Sequence, residues 1–404
     1  SRLIDSRERH MEGTVTPGFE SVGDVLEKAI TNKLEYGASF TVYLEGECIV
    51  DIWAGEAEAG KPWQSDTMTN VFSCGKGATA FCAQLLYDRG QLDVEARVSS
   101  YWPEFAQAGK DQVTVRMLLN HTVGLPELPR PEGDEAGRMR EIQLDHVRCA
   151  AILAEASPKW KPGDHAAYHS LTYGWLVGEV VRRISGQSLG EFFRAELGDP
   201  LGLDFHIGLP DACQERMSDI RPQAPDRGAL KKWLDQMKDE QPDQFKNATV
   251  AGIVEQQRRQ LDWFNEPETR RAQIPAANGS ANARGLARLY APLSCEGQFE
   301  GKQWVSPESI DYFNTPNPIQ IDFGNMTPVC LGYMGVAPQR PEMGAGLRSF
   351  GHEGMGNSMG FADPDHRLAI GFVHNQLNDG QTRNAIIQQV YSCIEKMPRP
   401  SVDA

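Results

Sequence analysis

The sequence predicts a mixed α/β (α+β) fold: an antiparallel sheet flanked by helices, assembled from both ends of the chain, with a mainly helical lobe between them. Three observations predict it. Strand-like runs bunch near the two ends, helical periodicity dominates the middle, and at 404 residues the chain exceeds the usual size of a single hydrophobic core. The expected division is an α/β lobe from residues 1–72 and 285–404, discontinuous in sequence, and a helical lobe with insertions or a cap from 73–284.

Each element follows from local pattern. A helix is expected around residues 20–35, after which Ser39-Phe40-Thr41-Val42-Tyr43-Leu44 and Cys48-Ile49-Val50-Asp51-Ile52-Trp53 flank Glu45-Gly46-Glu47, a hairpin signature. Apolar residues recur at helical spacing over 77–89, 114–120, 142–156, 172–186, 249–264 and 281–293. Residues 211–248 are charged and dotted with proline, and read as a surface excursion, as do residues 127–140. Near the C-terminus, 329–336, 358–362 and 368–373 read as strands, and a helix follows from about Gln381 to Lys396. These strands and the N-terminal hairpin are expected to share one sheet.

The formal net charge is −15, with no basic run to offset it, which argues against nucleic-acid or anionic-membrane partners. No apolar stretch approaches the ~18–20 residues of a membrane span, and the N-terminus shows no basic-then-apolar signal pattern. Eight cysteines are scattered without a C-x-x-C pair or the Cys/His spacing of a zinc site. They read as reduced core residues, so a cytoplasmic location is expected, with an export signal upstream of Ser1 left open. No metal or cofactor is expected; the expected partner is a small molecule, with self-association into a homo-oligomer left open. Sequons occur at Asn120, Asn247 and Asn278.

Ser73-Cys74-Gly75-Lys76 places a hydroxyl and an amine three residues apart at an expected helix start, with apolar Val71-Phe72 before it. Positions i and i+3 share a helix face, so the Lys76 amine can fold back toward the Ser73 hydroxyl. Burial and the positive end of a helix dipole both favour the neutral amine that a base requires. The competing reading is that Ser73 only caps the helix, a position serine prefers. Two further stretches carry matching chemistry. Tyr168-His169-Ser170 lies in a loop before a helix and offers a second proton carrier, which acyl transfer needs for its leaving group. Phe350-Gly351-His352-Glu353-Gly354-Met355-Gly356 is dense in glycine, which lets backbone amides approach a reacting carbonyl; a tight inter-strand turn explains the glycines equally well.

Ser-x-x-Lys, then Tyr-x-Ser, then His-x-Gly in this order resembles the serine β-lactamase and penicillin-binding-protein superfamily, in particular its class C-like branch and the family VIII carboxylesterases. Leu118-Leu119-Asn120-His121-Thr122-Val123-Gly124-Leu125-Pro126 is similar to a block of that branch, as is Gly351 through Pro364, and the likeness runs from about residue 20 to 395. The resemblance implies a β-lactamase/transpeptidase-like fold and a serine hydrolase. It implies Ser73 as acylated nucleophile, Lys76 and Tyr168 sharing the acid and base work in an order left open, and the backbone N–H groups of Ser73 and Met355 as oxyanion hole. Ser170, His352 and Gly354 become expected substrate-binding residues, and His121 a structural one.

Two departures bear on substrate. Class C β-lactamases carry Asn where this chain has Ser170 and Lys where it has His352; a short hydroxyl and a largely neutral imidazole weaken the contacts to an acylamino group and a drug carboxylate. The expected activity is therefore hydrolysis of small, uncharged carboxylic esters. The alternatives are β-lactamase or D-amino-acid peptidase activity, acyl transfer to an alcohol, and a non-enzymatic binding protein, the last opposed by the intact Ser73, Lys76 and Tyr168. Trp233, Trp263 and Phe264 are candidates to line an acyl or alcohol pocket. A rival nucleophile, Ser358 in Gly356-Asn357-Ser358-Met359-Gly360, matches the α/β-hydrolase G-x-S-x-G elbow, but strand-like text follows where the elbow needs a helix.

Overall fold

In the computed structural model, residues 11–130, 136–322, 326–327, 329–335 and 343–397 are described. The hairpin forms as its alternation predicts: β2 (Gly37–Leu44) pairs antiparallel with β3 (Glu47–Glu58), and the edge strand β1 (Met11–Val15), unforeseen in the sequence, adds to β3. From the other end of the chain come β4 (Met334–Gly335), β5 (Phe350–Glu353), β6 (Met359–Asp363) and β7 (Leu368–His374). The two ends meet where β7 pairs with β2, Leu368 opposite Leu44 and His374 opposite Ala38. The sheet order is β1-β3-β2-β7-β6-β5-β4, antiparallel throughout, with Lys61–Pro62 added beside β3.

Strand alternation sends large residues to one face and small ones to the other. Leu368, Ile370 and Phe372 of β7 pack with Phe40, Ile52 and Phe361 under α1 (Glu20–Thr31) and the C-terminal helix Gln381–Glu395. Ala369 and Val373 face the helix Ala283–Ser294, and a Cβ on Gly371 would lie 2.2 Å from the Ala283 carbonyl oxygen, so glycine is required for this approach.

The central helix Cys74–Asp88 is buried at every position from Cys74 to Leu86, which explains its run of small and apolar residues on all faces. It packs on the helix Thr172–Ser185 and touches β5, so its N-terminus lies where sheet meets helices.

Several expectations shift in detail. The helix expected over 142–156 is two, Ala136–Gln143 and His146–Glu155, because the Asp145 side chain caps the second by accepting from Arg148 N–H. The strand expected over 329–336 shrinks to Met334–Gly335, since Gly332 (φ +85) turns the chain against Ala80 and Tyr173; Val336 lies outside the described residues. Within 211–248 the helix Arg227–Glu240 buries only Leu234, as an excursion should, but Met217 bridges Met68 and Arg221 bridges Gln376, tying 217–221 into the body. In the 127–140 stretch, residues 131–135 lie outside the described residues. Asn120 and Asn278 are buried, which removes these two sequons as glycosylation acceptors. All eight cysteines are free thiols. Among the described residues no helix is long and apolar enough to cross a membrane.

Candidate active site

Ser73 takes the N-cap position of its helix, yet its hydroxyl makes no capping hydrogen bond. Instead Oγ stands 3.1 Å from Lys76 Nζ, so the folded chain favours the chemical pairing over the capping role. The residue before it, Phe72, sits at φ +44, a backbone region that non-glycine residues rarely adopt, and its N–H is held by Asn70 Oδ1 at 2.6 Å.

Lys76 is fully buried and its Nζ also donates to the carbonyls of Ser170 (2.7 Å) and Ala276 (3.0 Å). Burial, the largest influence, pushes its pKa well below the ordinary lysine range, against the opposing influence of the nearby Cys74. The amine lies 4.6 Å from the centroid of the Tyr168 ring. Tyr168, remote in the chain from Ser73 and Lys76, is thus brought to the same place.

The loop bearing Tyr168 is fastened by the 118–126 block. His121 Nδ1 accepts from His169 N–H (2.9 Å), His169 Nε2 accepts from Leu125 N–H (3.0 Å), and Thr172 Oγ1 donates to the Leu125 carbonyl (2.6 Å). Because His169 Nε2 accepts, Nδ1 carries the proton and donates to the Ala167 carbonyl at 2.6 Å, which fixes a neutral tautomer. Burial lowers His169 to about 4 and holds His121 well below its usual value. His121 also stacks between Tyr168 and Tyr173 at 5.2 and 5.0 Å. This is the structural part expected of His121; His169 was not singled out, because its role rests on contacts invisible in local sequence.

His352 lies in β5, buried, its ring 6.3 Å from that of Tyr168 and its Nδ1 2.7 Å from the Glu353 carbonyl. Its backbone carbonyl and that of Ser358 receive the Cys74 thiol (3.5 and 3.4 Å), joining the start of the central helix to β5. The glycine-dense stretch does form a turn between β5 and β6, closed by Asn357 N–H donating to the Gly354 carbonyl (2.9 Å). A Cβ on Gly354 would lie 2.2 Å from the Val71 carbonyl oxygen and 3.4 Å from Phe72 Cβ, so this turn presses against the segment leading into Ser73. Among the described residues neither Ser73 N–H nor Met355 N–H has a hydrogen-bond acceptor.

Ser170 is exposed, engages Lys76 through its carbonyl, and helps line a cavity of about 590 Å³ together with Leu125, Leu128, Met139, Lys159 and Leu171 among others. Of the three candidate pocket aromatics, Phe264 packs edge-on against Phe72 at 5.2 Å and Trp263 packs on Phe264, whereas Trp233 pairs with Phe245 and is 42% exposed. Ser358 leads into β6 with its Oγ accepting from His374 N–H (3.3 Å), and strand, not helix, follows it, so the elbow geometry is absent. Among the described residues no cluster of three or more His, Cys, Asp or Glu side chains could hold a metal ion.

A serine and a buried lysine meeting at a helix start beside an antiparallel sheet belong to a serine hydrolase with a β-lactamase-like fold. The chain belongs to the Beta-lactamase family, whose model matches residues 26–391. It is 34% identical over 379 residues to the Esterase/beta-lactamase LipL of Mycobacterium tuberculosis (strain ATCC 25618 / H37Rv), covering 91% of this chain and 84% of that one. Among solved structures it is similar to a family VIII carboxylesterase (TM-score 0.79, 32% identity, 95% of this chain and 99% of that one). It is also similar to a penicillin-binding protein homologue from Caulobacter crescentus (TM-score 0.78, 31% identity, 95% and 99%).

Proposed function

We propose that this serine hydrolase cleaves small, uncharged carboxylic esters through an acyl-enzyme on Ser73. The observation that carries the reading is the environment of Lys76 Nζ: one hydroxyl and two carbonyls, all neutral. A neutral amine has two N–H bonds and one lone pair. The two carbonyls can only accept, so they take the N–H bonds, and the lone pair is left for the Ser73 O–H. Lys76 is therefore the first base, and Ser73 Oγ attacks the ester carbonyl as its proton passes to Nζ. The C–O bond to the alcohol then breaks, and Tyr168, beside the new ammonium, hands its proton to the departing alkoxide and recovers one from Lys76. Water reverses the sequence on the acyl-enzyme, releasing the acid and restoring Ser73. The N–H groups of Ser73 and Met355 receive the oxyanion; removing one such donor typically costs ~10²–10³ in rate.

The cavity beside Ser170 is suited to the acyl or alcohol portion. Neither Ser170 nor the buried His352 presents the amide and ammonium that favour β-lactam drugs, which supports esters over lactams. Resemblance to LipL, named as an esterase and a β-lactamase, favours a second, weaker lactam activity. Turnover of p-nitrophenyl acetate and butyrate is compared with that of nitrocefin: ester turnover exceeding nitrocefin turnover by orders of magnitude supports the reading, and the reverse order refutes it.

A further inference from the structure

Glu35 and His374 form a pair that the acyl-transfer steps do not use. Glu35 follows α1, His374 ends β7, and they are 3% and 1% exposed. His374 Nδ1 stands 2.7 Å from Glu35 Oε2, and Nε2 stands 2.6 Å from the carbonyl oxygen of Gly356. A carbonyl can only accept, so Nε2 carries a proton and donates it.

Gly356 immediately follows Met355. It and Asn357 both occupy the left-handed region, at φ +82 and +88, a region that asparagine enters more readily than other non-glycine residues, and the Asn357 side chain is held there by its surroundings. Those surroundings return to the same pair. Asn357 Nδ2 donates to the Asn378 carbonyl (2.6 Å), and Asn378 Nδ2 donates to Glu35 Oε1 (2.9 Å), while Arg383 Nη1 donates to Asn357 Oδ1 (2.8 Å). Each oxygen of one buried carboxylate is thus spent, through one intermediary, on one of the two residues after Met355.

We propose that Glu35 and His374 are positioning residues that hold the Gly354–Asn357 turn so that the Met355 N–H faces the developing oxyanion. Their carboxylate–imidazole–carbonyl line orients a donor without touching substrate, much as an outer partner orients a metal-bound histidine. Misplacing a reacting or stabilising group by about 1 Å can cost ~10²-fold in rate. The inference rests on Met355 being an oxyanion donor.

The test measures kcat and KM for p-nitrophenyl butyrate with the full chain and its His374→Leu, His374→Gln, Glu35→Gln and Met355→Pro variants, with circular dichroism and melting curves as checks on folding. His374→Leu is expected to lower kcat about 10- to 100-fold with KM within about twofold of the parent. His374→Gln, whose amide N–H reaches the same carbonyl, recovers most of that loss, and Glu35→Gln lowers kcat with KM unchanged. Met355→Pro removes the N–H, together with an exposed side chain that Met355→Ala removes alone as a control, and tests the underlying reading: a kcat unchanged from that of Met355→Ala overturns the oxyanion role and the inference with it. If Met355→Pro is impaired but folded His374→Leu keeps kcat within about twofold, or His374→Gln is no better than His374→Leu, the positioning role alone is overturned. Should His374→Leu fail to fold, Glu35→Gln decides, and an unchanged kcat in that variant refutes the proposal.

Discussion

Lys76 faces a hydroxyl and two carbonyls from within a buried site, and that placement sets both its reactivity and its cost. Burial lowers its pKa, so the folded chain binds fewer protons than the unfolded chain at any pH between the lowered value and the ordinary ~10.4. Stability therefore rises with pH across that window, and the neutral amine that the proposed base role requires is present well below the usual lysine range. Lys76→Met is expected to abolish ester turnover, by more than ~10³-fold, while raising stability by about 1 kcal/mol or more and flattening its dependence on pH. Melting curves from pH 6 to 10 check the second part. The Ser-x-x-Lys spacing was legible in the sequence; what was not legible is the pair of carbonyls, from Ser170 and Ala276, to which the amine donates.

The elements around the site act as mounts. One is the turn between β5 and β6, closed by Asn357 N–H to the Gly354 carbonyl with Gly356 at φ +82, a pattern that accepts proline at its second position. Met355→Pro is accordingly expected to fold and to lose ~10²–10³ in kcat relative to Met355→Ala, the difference between the two variants reporting the lost backbone donor. The second mount is the Tyr168 loop, latched by neutral His169. Its folded pKa of about 4 lies below the unfolded ~6.5, so the latch contributes fully above pH 6.5 and weakens as pH falls toward 4, in total by about 3 kcal/mol. A melting temperature that falls across that interval, and falls less in His169→Asn, is the expected result. The sequence indicated both elements, through the glycines of 351–356 and the His121 block. It did not indicate Glu35, His169 or His374, because each acts through a partner remote in the chain and carries no local pattern.

The whole molecule is closed by the pairing of β2 with β7, which joins residues 37–44 to 368–374. The ends of the chain read as strands from their own composition, and their meeting was expected from the fold class. The split of the 142–156 helix and the shortened 329–336 strand were not, because Asp145 and Gly332 interrupt periodicities that look continuous. Such long-range pairing makes the C-terminal helix Gln381–Glu395 indispensable, since Ile386, Ile387 and Val390 cover the apolar face of the sheet. Truncation after Gly380 exposes that face and is expected to yield an insoluble or unfolded chain, whereas Ile387→Ala, deleting one buried side chain, costs ~2–5 kcal/mol and remains folded at low temperature.

The central claim is that Ser73 is the nucleophile of an acyl-transfer site, and its most direct test is intact-mass spectrometry after treatment with a serine-reactive fluorophosphonate, followed by peptide mapping of the adduct. A single adduct on the peptide containing Ser73, absent in Ser73→Ala and retained in Ser358→Ala, is the predicted result. An adduct mapped to Ser358, or one that persists in Ser73→Ala, would contradict it.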